Sequence, residues 1–214
     1  MYRSDRVYFT EYKEGVHKDI FRWDWGIGAG SGAATPATSN GGDEYDVPQC
    51  AENKEKVTRT CNHTITGSWM PVRKDGTLQN AYAALTPHGT KNGCESKGSG
   101  KCQVYLAALH GHCHAPTCLR LDTYNNDTGE LLCRVLPVYG GTAGYVADKG
   151  GTYDEPGYVA NPPCVFEANS THGLPEPPLM NGMTIRVVHV TNSTYGHHGE
   201  MALPQAMLAY DVYG

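Results

Sequence analysis

Eight cysteines, Cys50, Cys61, Cys94, Cys102, Cys113, Cys118, Cys133 and Cys164, constrain the fold of this 214-residue chain more than any other feature. The count is even and no two stand in a Cys-x-x-Cys pair, so the spacings of a zinc ribbon or a thioredoxin-like motif are missing. Such a set reads as a disulfide framework, which forms and persists in oxidising compartments. Eight cysteines admit roughly a hundred pairings, and the sequence leaves the choice open. The neighbours Cys50/Cys61, Cys94/Cys102 and Cys113/Cys118 could each close a small loop. Cys133/Cys164 would then join two longer segments, worth roughly 3–4 kcal/mol on the chain-entropy account.

A second, independent feature points to the same compartment. Asn62-His-Thr, Asn126-Asp-Thr, Asn169-Ser-Thr and Asn192-Ser-Thr are acceptor sites for N-linked glycans, none blocked by proline. Asn126 lies in Asn125-Asn-Asp-Thr-Gly, a turn by composition. A secreted protein, extracellular or at the cell surface, is therefore expected. The first 30 residues hold no apolar core of a signal peptide, so a secreted product is expected to be a processed form or a fragment. Net charge is −5, which provides no basic footprint for nucleic acid or anionic lipid. No apolar run reaches the length of about 18 residues that a membrane span needs.

The composition, with 26 Gly, 13 Pro and 14 Tyr, disfavours helix interiors. Period-two alternation appears within Arg6–Ile27, where Val7 and Phe9 share one side and Phe21, Trp23 and Trp25 another. This aromatic row reads first as core, and second as a sugar-stacking surface. Residues 26–48 are rich in Gly, Ser, Ala and Thr and read as a long loop or linker. Val57–Met70 reads as a strand pair. Further strands are expected at Gln103–His114, Cys118–Tyr124, Glu130–Val138, Tyr158–Phe166, Met183–Thr191 and Glu200–Tyr213. Short strands separated by Gly and Pro predict an all-β, antiparallel β-sandwich with long Gly-rich loops, stapled by disulfides. Residues 1–48 are expected to form an N-terminal strand or arm with its linker, and residues 49–214 the sandwich.

Three of the ten histidines fall in Leu109-His-Gly-His-Cys-His114. On a strand His110, His112 and His114 point to one face, and Leu109, Gly111 and Cys113 to the other. Imidazoles two apart on a strand can grip one metal ion. Near the C-terminus, Tyr195-Gly-His-His-Gly-Glu-Met201 offers His197, His198, Glu200 and the Met201 thioether. Two imidazoles with Met suit copper, whereas a third imidazole suits zinc with an open position for water. The alternative is a solvated polar patch. A blue-copper centre is excluded by strand parity, which turns Cys113 away from the histidines toward a disulfide with Cys118. The pair Asp154-Glu155 sits in a Gly/Pro turn and reads as a turn feature before an acid/base pair.

The run from Leu109 to Asp211 resembles the plant stress-up-regulated nodulin-like family of secreted proteins. The likeness rests on the His-x-His strand, Gly129-Glu-Leu-Leu-Cys-Arg-Val-Leu-Pro-Val-Tyr-Gly140, Asp154-Glu-Pro-Gly-Tyr-Val159, Pro163-Cys164 and His198-Gly-Glu-Met201. More distantly, the chain looks like the C-terminal domain of the copper-dependent peptidylglycine α-hydroxylating monooxygenases. That resemblance implies a jelly-roll-like sandwich whose copper is held by His110, His112 and Met201; the two histidine clusters themselves offer His114, His197 and His198 as additional donors. The second, three-histidine copper domain of those enzymes has no counterpart here; the N-terminal half holds only His17, His63 and His88.

Two classes of function follow. In the first, the chain is a structural or assembly glycoprotein, a homo-oligomer or filament subunit, with a mononuclear copper site. In the second it is an enzyme, either a copper-dependent monooxygenase on a peptide-like substrate or a zinc enzyme using the His-x-His strand. The Gly-rich segment, the aromatic N-terminal stretch and the missing second copper domain favour the first. An uncovered edge strand of that character pairs with a neighbouring molecule.

Overall fold

The computed structural model describes residues 20–27, 34–36, 44–50, 61–78, 102–114, 117–139, 159–168 and 172–212. Cys94, Asn169 and the pair Asp154-Glu155 lie outside them, as do Tyr8 and Phe9. The side chains of Phe21 and Trp25 are likewise not among those described.

The expected all-β, antiparallel sandwich is present. The strands are β1 (Ile20–Ile27), β2 (Ala34–Pro36), β3 (Glu44–Val47), β4 (Asn62–Trp69), β5 (Cys102–His112), β6 (Cys118–Asn125) and β7 (Leu131–Val135). They continue with β8 (Val138–Tyr139), β9 (Val159–Ala160), β10 (Cys164–Val165), β11 (Ile185–Asn192), β12 (His197–Met201) and β13 (Leu203–Val212). One sheet runs β10-β5-β13-β1-β2 and the other β4-β11-β6-β7, with two-stranded ladders β12-β3 and β8-β9. Apolar alternation drives the pairing of the layers. Leu106, Leu109 and Leu208 of the first sheet share one buried core with Leu121, Val135, Ile185 and Val187 of the second. Each fully buried Leu or Ile contributes about 1.5–3 kcal/mol. Trp23 of β1 stacks on Trp69 of β4, with ring centroids 4.5 Å apart, so Trp23 fills the core between the sheets.

Three disulfides lie among the described residues, and all three are pairings expected from the cysteine spacing. Cys133–Cys164 ties β7 of the second sheet to β10 of the first across 31 residues, and Cys113–Cys118 ties the end of β5 to the start of β6 across 5. Both therefore cross-link the two sheets. The chain-entropy account values the longer loop at about 4 kcal/mol and the shorter at about 2 kcal/mol. Cys50–Cys61 joins the segment after β3 to the start of β4. Cys102 is also disulfide-bonded.

Several elements differ from the expected ones. Val57–Met70 contributes the single described strand β4, whose partner is β11 and not a neighbouring hairpin strand. The C-terminal strand expected from Glu200 to Tyr213 is two strands. The chain leaves the β3 ladder at Met201, passes through fully buried Ala202, and enters the main sheet at Leu203. β1, from the segment expected to form an N-terminal strand or arm, pairs with β13 over Ile20–Asp24 and with β2 over Trp25–Ile27. Of the glycan acceptors, Asn62 and Asn126 are exposed. Asn192 stands opposite Asn62 in the β4–β11 ladder, and its Oδ1 accepts the Thr194 amide at 2.8 Å.

Two irregularities decide which way the histidines face. In β5 the register steps from Leu106↔Leu208 to Ala108↔Met207, so Ala107 is an extra residue without an opposite number. Before this bulge Cys102, Val104 and Leu106 point inward; after it Leu109, Gly111 and Cys113 do. Without the extra residue, period two would turn His110 and His112 into the core. Gly111 serves the same end. A Cβ there would stand 2.8 Å from Leu121 Cδ2 and 3.1 Å from Val135 Cγ2, so glycine lets β5 lie close against the second sheet. We expect Gly111→Ala to cost about 1–3 kcal/mol by overpacking, read as a lower urea midpoint with an unchanged slope; an unchanged midpoint would mean the sheets separate freely at this point.

Candidate metal centre

The β3–β12 ladder bridges the two main sheets where β5 ends. Gly199 makes this possible. Its φ of 72° lies in the left-handed region that favours glycine, and the ladder register shifts between His197 and Glu200. The shift brings His197 and Glu200 to the same side, with His197 Nε2 3.9 Å from Glu200 Oε2. His198 goes the other way, to an exposed position with its Nδ1 3.2 Å from Asp46 Oδ1.

Glu200 is the centre of the arrangement. Its side chain is wholly buried. Oε1 accepts the amide of His114 at 2.7 Å and that of Met201 at 3.0 Å, while Oε2 accepts the Thr117 hydroxyl. Three donors compensate much of what the carboxylate loses in leaving water. Around it lie three imidazoles. The rings of His112 and His114 meet edge to face at 5.2 Å, and those of His114 and His197 at 6.3 Å. His197 Nε2 is buried with no hydrogen-bond partner. Burial lowers the pKa of His112, and the neighbouring His114 and His110 lower it further against an opposing pull from Glu200. A neutral imidazole is the form a metal takes. His110 is turned to Gln205, its Nδ1 3.3 Å from Gln205 Oε1. Met201 ends β12, half-buried and opposite Glu44.

On the inner side of the same strand end, sequence reasoning missed His189. It is fully buried in the middle of β11. Its Nδ1 lies 2.7 Å from the Tyr45 hydroxyl and its Nε2 3.3 Å from Cys118 Sγ. Among the described residues, Cys113, Cys118 and His189 are the one group of three His, Cys, Asp or Glu whose ligand atoms all lie within 4.8 Å of one another. In the oxidised chain the two sulfurs are bonded to each other. The only sequence signal for His189 was a polar residue at an inward position of Ile185-Arg-Val-Val-His-Val, easily read as a core histidine. Tyr45 and Thr117 carried no signal at all. Burial, and then the charge of Glu200, push the Tyr45 hydroxyl well above its ordinary pKa.

The chain is thus a disulfide-rich all-β domain bearing a candidate metal-binding cluster of two cysteines and one histidine, with a row of histidines on the opposite face. No family model, curated protein or solved structure matches it. Among the described residues no helix is long and apolar enough to cross a membrane.

The environment of His189 sets a pH dependence for the metal-free, oxidised chain. Burial, then the nearby His63 and His114, lower its pKa to about 3. The unfolded chain takes up this proton near pH 6.5. Between those values the unfolded state binds more protons, so stability is whole above about pH 6.5 and falls as pH drops toward 3. In urea titrations the native protein should lose on the order of a few kcal/mol over this window. His189→Gln, less stable at neutral pH, should show a flatter profile from pH 6.5 to 4; a parallel profile would assign the loss to other groups.

Proposed function

We propose that the chain is an extracellular metal-binding β-sandwich domain that holds one copper or zinc ion on the outer face at the end of β5. His112, His114 and His197 are its imidazole donors, with Glu200 behind them. The observation that carries this reading is a row of two edge-to-face ring contacts, His112 to His114 and His114 to His197, beside a fully buried carboxylate, with His197 Nε2 buried and making no hydrogen bond. Three clustered imidazoles repel one another when protonated and gain little as packing; their ligand atoms do not all lie within 4.8 Å of one another, so a cation engages all three once the rings turn about their side-chain bonds. Glu200 fixes the backbone of the row through the His114 amide and places a carboxylate beside the imidazoles, where a cation would be favoured.

The set implied by the resemblance, His110, His112 and Met201, shares His112 with this one and brings a soft sulfur that favours copper. Three imidazoles without sulfur suit zinc with an open position. Either ion supports the enzymatic reading, a monooxygenase acting on a peptide-like substrate or a zinc enzyme, better than the assembly reading. The assembly reading relied on an uncovered N-terminal strand, and β1 is paired within its own chain, with β13 over Ile20–Asp24 and with β2 over Trp25–Ile27. Secretion is supported by the disulfides and by the exposed acceptors Asn62 and Asn126, which we propose carry glycans.

Titration of metal-stripped, oxidised protein with Cu+, Cu2+ and Zn2+ tests the site. One equivalent should bind, and His112→Ala, His114→Ala and His197→Ala should each weaken binding at least about tenfold. Glu200→Gln should weaken it about 10–100-fold, and His172→Ala, on an exposed histidine paired with Glu167, should not change it. Loss in His110→Ala and Met201→Ala but not in His114→Ala would transfer the ion to the set implied by the resemblance. Unaltered affinity in the His112→Ala/His114→Ala double variant would overturn both. Oxygen uptake driven by ascorbate on peptide substrates separates an enzyme from a binding module.

A further inference from the structure

We propose a second, redox-gated metal site on the inner face of the same strand end, built from Cys113, Cys118 and His189. It is closed as a disulfide in the oxidised chain and opens on two-electron reduction to bind Zn2+. This goes beyond the histidine row and does not depend on it, because Cys113 faces the opposite way from His112 and His114.

The donors come from three different strand positions. Cys113 directly follows β5, Cys118 opens β6, and His189 sits mid-strand in β11, where the ladder pairs Leu121 with His189 and Cys118 with Thr191. All three are buried, and their ligand atoms lie within 4.8 Å of one another. The orientation of His189 is set from behind. Tyr45 occupies Nδ1 at 2.7 Å, which leaves Nε2 for a metal, and Nε2 already lies 3.3 Å from Cys118 Sγ. Zinc–thiolate bonds of about 2.3 Å at a tetrahedral angle place two sulfurs roughly 3.8 Å apart. Breaking the sulfur–sulfur bond therefore requires the two side chains to part by less than about 2 Å, within reach of rotamer adjustment at the ends of two fixed strands.

Charge favours the same ion. In reduction, a dithiol donates two electrons and two protons to the sulfur–sulfur bond and leaves as its own disulfide. Zn2+ then displaces the two thiol protons, and two thiolates with one neutral imidazole around a divalent cation make a centre of zero net charge. A neutral centre suits a site where an uncompensated charge is strongly disfavoured. The set leaves a fourth position for water or an added ligand. The domain would take up zinc here only when reduced and release it when the disulfide closes.

The test uses the whole chain, reduced with a phosphine that does not compete for metal, and Co2+ as the spectroscopic stand-in for Zn2+. The reduced protein should develop a near-ultraviolet thiolate-to-cobalt charge-transfer band saturating at one equivalent. The oxidised protein should show none, and Zn2+ should abolish the band. The histidine row contains no thiolate and cannot produce it, so failure of one site is read apart from failure of the other. Cys113→Ser/Cys118→Ser should remove the band, and His189→Gln should weaken Co2+ binding at least about tenfold. No band in the reduced wild-type chain, folded or not by circular dichroism, overturns the proposal. So does a band that persists in the double cysteine variant, which would assign it to other reduced cysteines. If His189→Gln loses its β-sheet signal, Tyr45→Phe is read in its place, and unchanged affinity there overturns the part assigned to His189.

Discussion

Ala107 has no opposite number on β13, and this one unpaired residue determines what the end of β5 presents to each side. A strand offers alternate residues to alternate faces, so an inserted residue exchanges the faces for everything beyond it. Upstream, the exchange leaves Val104 and Leu106 in the core; downstream, it puts Leu109, Gly111 and Cys113 there and frees the histidines. The second bulge, at His198 and Gly199, does the same for β12 and brings His197 and Glu200 to one side. Two parity reversals on strands far apart in sequence thus produce one convergence of polar groups. Remove either, and the histidines and the carboxylate would belong to different faces.

The carboxylate then shapes its surroundings. Glu200 is buried with two amides and a hydroxyl as donors, and no Lys or Arg pairs with it among the described ion pairs. The second sheet handles its own buried carboxylate differently. Asp122 of β6 takes Arg134 of β7 at 2.7 and 2.9 Å, with Arg120 at 3.2 Å. That is a bidentate ion pair completed by its neighbours, with its charge already answered. Glu200 keeps its field available, and it acts on the Tyr45 hydroxyl and on His112. A cation entering the histidine row would meet that field, which distinguishes the two acids chemically as well as by location.

Much of the fold was legible because its signals are local. Cysteines five and eleven residues apart favour each other by loop closure, and the pairs Cys113–Cys118 and Cys50–Cys61 formed accordingly. The direction of Cys113 away from His112 and His114 was also legible, since parity holds over three residues whatever happens upstream. The bulge at Ala107 was not legible; Val104 to His112 reads as an unbroken strand, and the extra residue is forced by pairing with β13. The same blindness joined β12 and β13 into one strand, because Ala202 gives no turn signal where the chain changes sheets. His189, Tyr45 and Thr117 escaped for a related reason. Each is an ordinary residue in its own segment, and only the tertiary meeting of β3, β11, β12 and the start of β6 gives it chemistry.

The two faces of the strand end are coupled by the chain that joins them. His112, Cys113 and His114 are consecutive, so the disulfide that holds Cys113 inward also holds its two neighbours outward. The amide of His114 is fastened to Glu200, and the carbonyl of His114 accepts the Cys118 amide at 3.1 Å. Opening the Cys113–Cys118 link would remove the covalent restraint but leave these two hydrogen bonds, one to each side of the cluster. The histidine row should therefore keep its position while the inner sulfurs move. Exchange at the inner face can then proceed without dismantling the outer one, because the backbone between them is anchored by β12 and not only by the disulfide.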